Sequence, residues 1–286
     1  EGAAINQTNK DAHVDQSVMV AAGTDYYHLG IAGTLAGSGT AGVGPGADIS
    51  AVSNATNAFI GSSAVVTALK DVEVQAYAQE DILSITAAAG IGGAAGVAGG
   101  ASINYINNLT HAYIDDGAEV RADGNIIITG DDVTNVDVIA GTLGLGIGAG
   151  VGQALDVSVI DKDTQAYIGD DAVLVARGYS KDYRDVFTGD VDLAGNRTMK
   201  SIKGLLVQAS SREDIFNVVA SGGAGIWAGV AGAVTVNKIR SNTAAHIGSE
   251  ARINADGTDA STAQAISVIA VNDVKAKSVT GSVGGA

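Results

Sequence analysis

The chain alternates. From Leu143 to Gly152, Leu143, Leu145, Ile147, Ala149 and Val151 interleave with Gly144, Gly146, Gly148, Gly150 and Gly152. Strict period two is the pattern of a strand. A strand face that carries only hydrogen lets another backbone or sheet approach closely. Glycine-rich stretches also run over 30–46, 87–101 and 221–232. The same glycines fit a period of four, as in Gly92, Gly96, Gly100 and Gly144, Gly148, Gly152. That is the small-xxx-small pattern of packed transmembrane helices, in stretches about 20 residues long. However, 141–152 holds six glycines in twelve residues. A helix there starts about 6 kcal/mol behind its alanine equivalent. The flank 155–160, Leu-Asp-Val-Ser-Val-Ile, is also strand-like, so strand is the expectation.

The alternation recurs at a fixed interval. Ala58-Phe59-Ile60-Gly61, Ala112-Tyr113-Ile114-Asp115, Ala166-Tyr167-Ile168-Gly169 and Ala245-His246-Ile247-Gly248 are copies of one phrase. The first three lie 54 residues apart and the fourth 79 further on, the difference matching an insertion at 179–203. Around each copy stand a threonine two residues before (Thr56, Thr110, Thr164, Thr243) and an alanine six after (Ala64, Ala118, Ala172, Ala251). An aliphatic residue follows (Val66, Val120, Leu174, Ile253), then another alanine (Ala68, Ala122, Ala176, Ala255). Asp123-Gly124, Arg177-Gly178 and Asp256-Gly257 then suit turns with a left-handed glycine. Short strands are expected next, at 72–76, 126–129 and 205–208. A smaller insertion lies near 258–264.

These columns predict an all-β, elongated parallel β-helix or β-solenoid of ~54-residue repeats, with a core that grows with each repeat. The units run over about 30–83, 84–137, 138–216 and 217–280, with partial repeats at both ends. The whole of 1–286 is one array, and both ends fall inside a repeat, as expected of a segment of a longer protein. Twenty extended residues would span about 65 Å, beyond an ordinary strand. The stretches are therefore expected to bend, each repeat winding about two rungs. Phe59, Tyr113, Tyr167 and His246 would form a structural ladder of rings, and the motif that carries them would be core.

Composition narrows the function. Net charge is −15, which disfavours nucleic acid and anionic membrane surfaces as partners. There is no cysteine, hence no thiolate metal site. Aromatics make up 4%, so packing must rest on Ala, Val, Ile and close backbone approach. Asp115/Asp116, Asp131/Asp132, Asp161/Asp163 and Asp170/Asp171 are acidic pairs. Asp115, Asp116, Asp170 and Asp171 are weak candidates for Ca²⁺ between rungs; solvated corner turns are the simpler reading, and no cofactor is required. Paired carboxylates also serve glycoside hydrolysis. Pairs that repeat with the scaffold do not suit a single active site, so no catalytic residue is assigned. His13, His28, His111 and His246 form no ligand spacing. Asn-x-Thr sequons stand at Asn6, Asn54, Asn108 and Asn196.

The insertion breaks the rhythm. It carries Tyr179, Tyr183, Phe187, Arg184 and Arg197, and aromatic plus arginine is the composition of recognition surfaces. These five are the candidate partner-binding residues; a loop that covers a seam is the competing reading.

The alternating glycines, then Ser102-Ile103-Asn104-Tyr105-Ile106 through Thr129, and Thr235-Val236-Asn237-Lys238-Ile239 through Ala255, carry a family resemblance. They resemble the repeats of very large bacterial exoproteins, the filamentous-haemagglutinin-like adhesins, including fusobacterial leukotoxin-type filamentous adhesins. The resemblance covers nearly all of the chain except 179–203. It implies a β-helical, non-enzymatic fibre exported to the cell surface, in adhesion, biofilm or host contact. Its partners would be a surface ligand or glycan and further repeats, stacked head to tail. A pore-forming exoprotein with membrane-inserting glycine stretches is the first alternative. A polysaccharide-binding or polysaccharide-degrading β-helix is the second.

Overall fold

A computed structural model describes residues 2–9, 11–180, 184–191, 196–255 and 259–286, with backbone only at 184, 185 and 191. The described residues are all-β: fifteen strands and no helix. The order is β1 (Ala4–Ile5), β2 (Val18–Ser38), β3 (Ala41–Ile60), β4 (Val65–Ala68), β5 (Val72–Gly92), β6 (Ala95–Ile114), β7 (Glu119–Ala122) and β8 (Ile126–Gly146). Then come β9 (Ala149–Ile168), β10 (Val173–Ala176), β11 (Arg184–Val191), β12 (Arg197–Ala224), β13 (Ala228–Ile247), β14 (Arg252–Ile253) and β15 (Gln264–Gly285).

The strands form three sheets. Strands β2, β5, β8, β12 and β15 stack in parallel as one broad sheet, and β3, β6, β9 and β13 as a second. The short strands β1, β4, β7, β10 and β14 form a narrow third sheet at the base. Each rung runs out along the first sheet, turns at 39–40, 93–94, 147–148 or 225–227, and returns along the second. The base strand then closes the coil.

Register corrects one expectation. Ala58 pairs with Ala112 and Ala112 with Ala166, so a 54-residue repeat is one rung, not two. Ala166 pairs with Ala245, the 79-residue step. The segments expected as short strands are the first residues of β5 and β8, and 205–208 lies within β12, after the part that pairs with β11. Strands of 20–21 residues are far longer than ordinary ones. They persist because the two long sheets pack on each other along their whole length, and only one turn per rung is needed at the far end.

Glycine allows this thin end. A Cβ on Gly96 would lie 1.9 Å from the Leu145 carbonyl oxygen, and one on Gly144 would lie 2.0 Å from that of Val151. The hydrogen-only face is thus where the two sheets meet backbone to backbone. The turns continue the ladder: Gly93 N–H donates to the Ser38 carbonyl, and Trp227 N–H to Gly148.

The base corner follows different chemistry. Ser63, Gly117, Asp171 and Glu250 occupy one column with φ between 55° and 64°. Of the expected turn glycines, Gly178 has positive φ, at 71°. Gly124 does not. It is required by space instead, since a Cβ there would meet Asp71 Oδ1 and the Lys70 carbonyl at 2.5 Å. Asp256 and Gly257 lie outside the described residues.

Three bands fill the sandwich. Near the base, Ala58, Ile60, Val66, Val74, Ile114, Val120, Ile128, Ile168, Leu174 and Leu205 belong to the main apolar core. Mid-blade, Val52, Ile82, Ile106, Val136, Ile160 and Ile215 form a second. Toward the thin end, Ala140, Ala154 and Val219 form a third. Polar layers separate them.

Candidate functional site

The ring column is a ladder in successive rungs. Phe59, Tyr113, Tyr167 and His246 stack with centroids 5.1, 4.7 and 5.1 Å apart and interplanar angles of 3–6°. Its position differs from the expectation. The flanking Ala112 and Ile114 point inward and are buried, whereas the rings face outward, Phe59 at 48% exposure. Period two explains it: a ring between two core residues must sit on the other face. Burial, Tyr113, Asp115 and Asp116 together push the Tyr167 hydroxyl up to about 12.

The acidic pairs separate into two kinds. Asp116 and Asp170 sit at the base corner and hold the next rung. Asp116 Oδ1 accepts from Asp170 N–H at 2.8 Å, and Asp170 Oδ1 from Ser249 N–H at 2.6 Å. Asp115 and Asp171 lie in the same turns. Among the described residues no group of three His, Cys, Asp or Glu is placed to hold a metal. Asp131/Asp132 and Asp161/Asp163 are not turn residues at all, but lie inside β8 and β9.

The insertion folds back on the blade. Strand β11 pairs antiparallel with the start of β12, Phe187 opposite Met199. Val186, Phe187 and Ile202 are buried with Ile127 and Leu206 on the outer face of the broad sheet. Arg197 lies over the Phe187 ring at 5.2 Å. Phe187 therefore covers the sheet and is not free for a partner, whereas Arg197, packed on its ring, stays partly exposed. Tyr179 is 57% exposed. Tyr183 lies outside the described residues, and Arg184 is described in backbone only. Asp131 lies on this covered face. Burial raises its carboxyl to about 6, against the pull of Arg197.

The site not anticipated is internal. Lys162 Nζ lies 2.7 Å from Asp132 Oδ1 and 3.1 Å from Glu213 Oε1, with all three side chains at 0% exposure. It also donates to the backbone carbonyls of Asp132 and Arg212, each at 3.3 Å. Thr110 Oγ1 donates to Asp132 Oδ2 at 2.9 Å. Ser211 and Ser241 donate to Glu213 Oε1 at 2.6 and 3.0 Å. Glu80 is close by. It accepts from Thr134 at 3.0 Å, and burial, then the Asp132 charge, raise its carboxyl to about 7. A second polar layer holds Asp156 against Asn217. Burial raises Asp156 to about 6 although Asn217 and Ser158 oppose it.

Glu80, Asp132, Asp156 and Glu213 are inside, and so is Lys162, between the outward Asp161 and Asp163. The signal was available, since the period that puts Ala166 and Ile168 inward puts Lys162 inward too.

Comparison with protein-family models, with curated proteins and with solved structures finds no match.

Proposed function

We propose that this chain is a structural stalk or fibre segment of a secreted bacterial cell-surface adhesin, serving adhesion, biofilm formation or host contact. The observation that carries the reading is the unbroken register. Five strands of the broad sheet and four of the second stack in parallel, and even the turns hydrogen-bond from rung to rung. Force along the axis is then shared by more than forty residues per rung. The resemblance of the repeats to filamentous-haemagglutinin-like adhesins supports the same reading. No enzymatic activity is proposed, because the clustered acids are sealed between the sheets. A surface ligand or glycan would meet Tyr179 and the adjoining hairpin, and substitution of Tyr179, Tyr183 and Arg184 would weaken that contact without unfolding the scaffold. Electron cryo-microscopy of the intact protein tests the stalk. The expected image is a ribbon roughly 70 Å broad with an axial repeat of about 4.8 Å. Compact particles without an axial repeat would refute it.

A second reading has one observation in its favour. The thin half of the blade carries no charge: 82–114, 138–155 and 215–237 contain no Asp, Glu, Lys or Arg. Trp227, the chain's single tryptophan, stands at its tip with 86% exposure. Insertion of this edge into a bilayer would serve a pore-forming or membrane-disrupting exoprotein. It would proceed through strands, since no helix among the described residues is long and apolar enough to cross a membrane. Trp227 fluorescence that shifts to the blue with lipid vesicles supports this reading, and an unchanged spectrum excludes it.

A further inference from the structure

We propose that Lys162 and Asp132 condense into an intramolecular amide cross-link, with Glu213 as the proton carrier. Lys162 is the one buried Lys or Arg among the described residues, and it touches two buried carboxylates rather than one. The trio lies in a polar layer closed to bulk solvent, with Ile160, Val136 and Ile215 on one side and Ala166 and Ala209 on the other. Charges so enclosed are costly even when paired. Moving one proton from Nζ to the carboxyl gives a neutral amine beside a neutral acid, the pair that amide formation needs.

Every atom required is placed. Asp132 Oδ1, in contact with Nζ, is bonded to Cγ, the carbon to be attacked. Contacts to the Asp132 and Arg212 carbonyls hold the amine in position, as near-attack chemistry demands. Thr110 donates to Oδ2, the oxygen on which negative charge develops. Glu213 Oε1 is within reach of the amine proton. In the step, the Nζ lone pair forms a bond to Cγ. Glu213 takes a proton from nitrogen and passes it to Oδ1, and the Cγ–Oδ1 bond breaks. From ammonium and carboxylate the products are one amide and one water, with no net proton, oxidant or reductant. Exclusion of solvent from the layer opposes the return reaction.

The arrangement is confined to one rung. Asn54, Asn108 and Ser241 occupy the Lys162 column, and Thr24, Ala78, Ser211 and Asn272 that of Asp132. The bond would fasten β8 to β9 across the interior, tying the two broad sheets together. It is independent of the stalk reading, because a covalent mass is read on any folded sample.

Intact-mass spectrometry of the unfolded, purified chain is the test. The expected mass is one water below the sequence mass. Trypsin, which does not cut after an acylated lysine, would leave 122–177 as one peptide lacking a water. Full sequence mass, with 122–162 and 163–177 released separately, would overturn the proposal. Lys162→Arg is expected to restore full mass, and a K162R chain still short of a water would refute the assignment to Lys162. Glu213→Gln, shown by its β circular-dichroism spectrum to be folded, is expected to keep full mass. A folded E213Q chain that loses water would remove Glu213 from its role.

Discussion

Lys162 Nζ and Asp132 Oδ1 are 2.7 Å apart, and neither side chain has any exposure to solvent. Removing the amine leaves Asp132 and Glu213 facing each other in the buried layer. Measured against the uncondensed, ion-paired chain, Lys162→Met is expected to cost about 3–5 kcal/mol, the range for breaking a buried pair by deleting one partner. Urea unfolding checks it. The combined exchange of Lys162, Asp132 and Glu213 for apolar residues of similar volume should cost much less.

Glycine substitutions should divide by what lies opposite. Gly144→Ala drives a methyl into the Val151 carbonyl and is expected to cost about 1–3 kcal/mol or more. Gly99 and Gly141 face open space. Alanine at either should change stability by no more than about 0.5 kcal/mol. Thermal melts of the variants separate the two classes.

Stability should fall as pH rises from about 4 to about 7. Glu80 titrates at about 7 in the folded chain, and Asp131 and Asp156 at about 6. The unfolded carboxyls titrate near 4. In that window the folded state holds protons that the unfolded state has released, so unfolding becomes easier with each rise in pH. Below about 4 both states are protonated and the full contribution is present; above about 7 it is lost. Denaturant midpoints measured across this range check the sign, and Glu80→Gln should flatten the slope.

The ring ladder should contribute on the outer face. Tyr113→Ala removes two stacks, each worth about 0.5–1.5 kcal/mol. Its loss should exceed that of Tyr105→Ala, an exposed ring outside the ladder. Urea midpoints of the two variants make the comparison. An absorbance titration should also show a tyrosine ionising near 12, assigned to Tyr167.

The columns of the fold were legible because a repeat aligns itself. Ala112, Ala166 and Ala245 in the text are Ala112, Ala166 and Ala245 in one stack. The number of rungs per repeat was not legible, because it depends on how long a strand can run. Ordinary strands stop early, whereas here Gly144 and Gly150 let two sheets meet without side chains and extend to the tip. The insertion stands out as the exception to the rhythm, but Phe187 is buried against the sheet. Apolar patches on the outer face, Ile127 and Leu206, require that cover, and they cannot be recognised before the face of each residue is known. Lys162 was hidden for a similar reason. Flanked by Asp161 and Asp163 it looks like surface, and only period two counted from Ile168 shows it to be interior.

One 54-residue repeat makes one rung, and because the chain has no cysteine of its own, engineered thiol pairs can read that register. Ser53 and Asn107 pair across adjacent rungs, whereas Ser53 and Gln79 lie on opposite sheets. With a short bis-reactive thiol linker, Ser53→Cys/Asn107→Cys is expected to become bridged within the chain and Ser53→Cys/Gln79→Cys to remain open. Bridging of the 53/79 pair in place of the 53/107 pair would mean two rungs per repeat and would contradict the architecture.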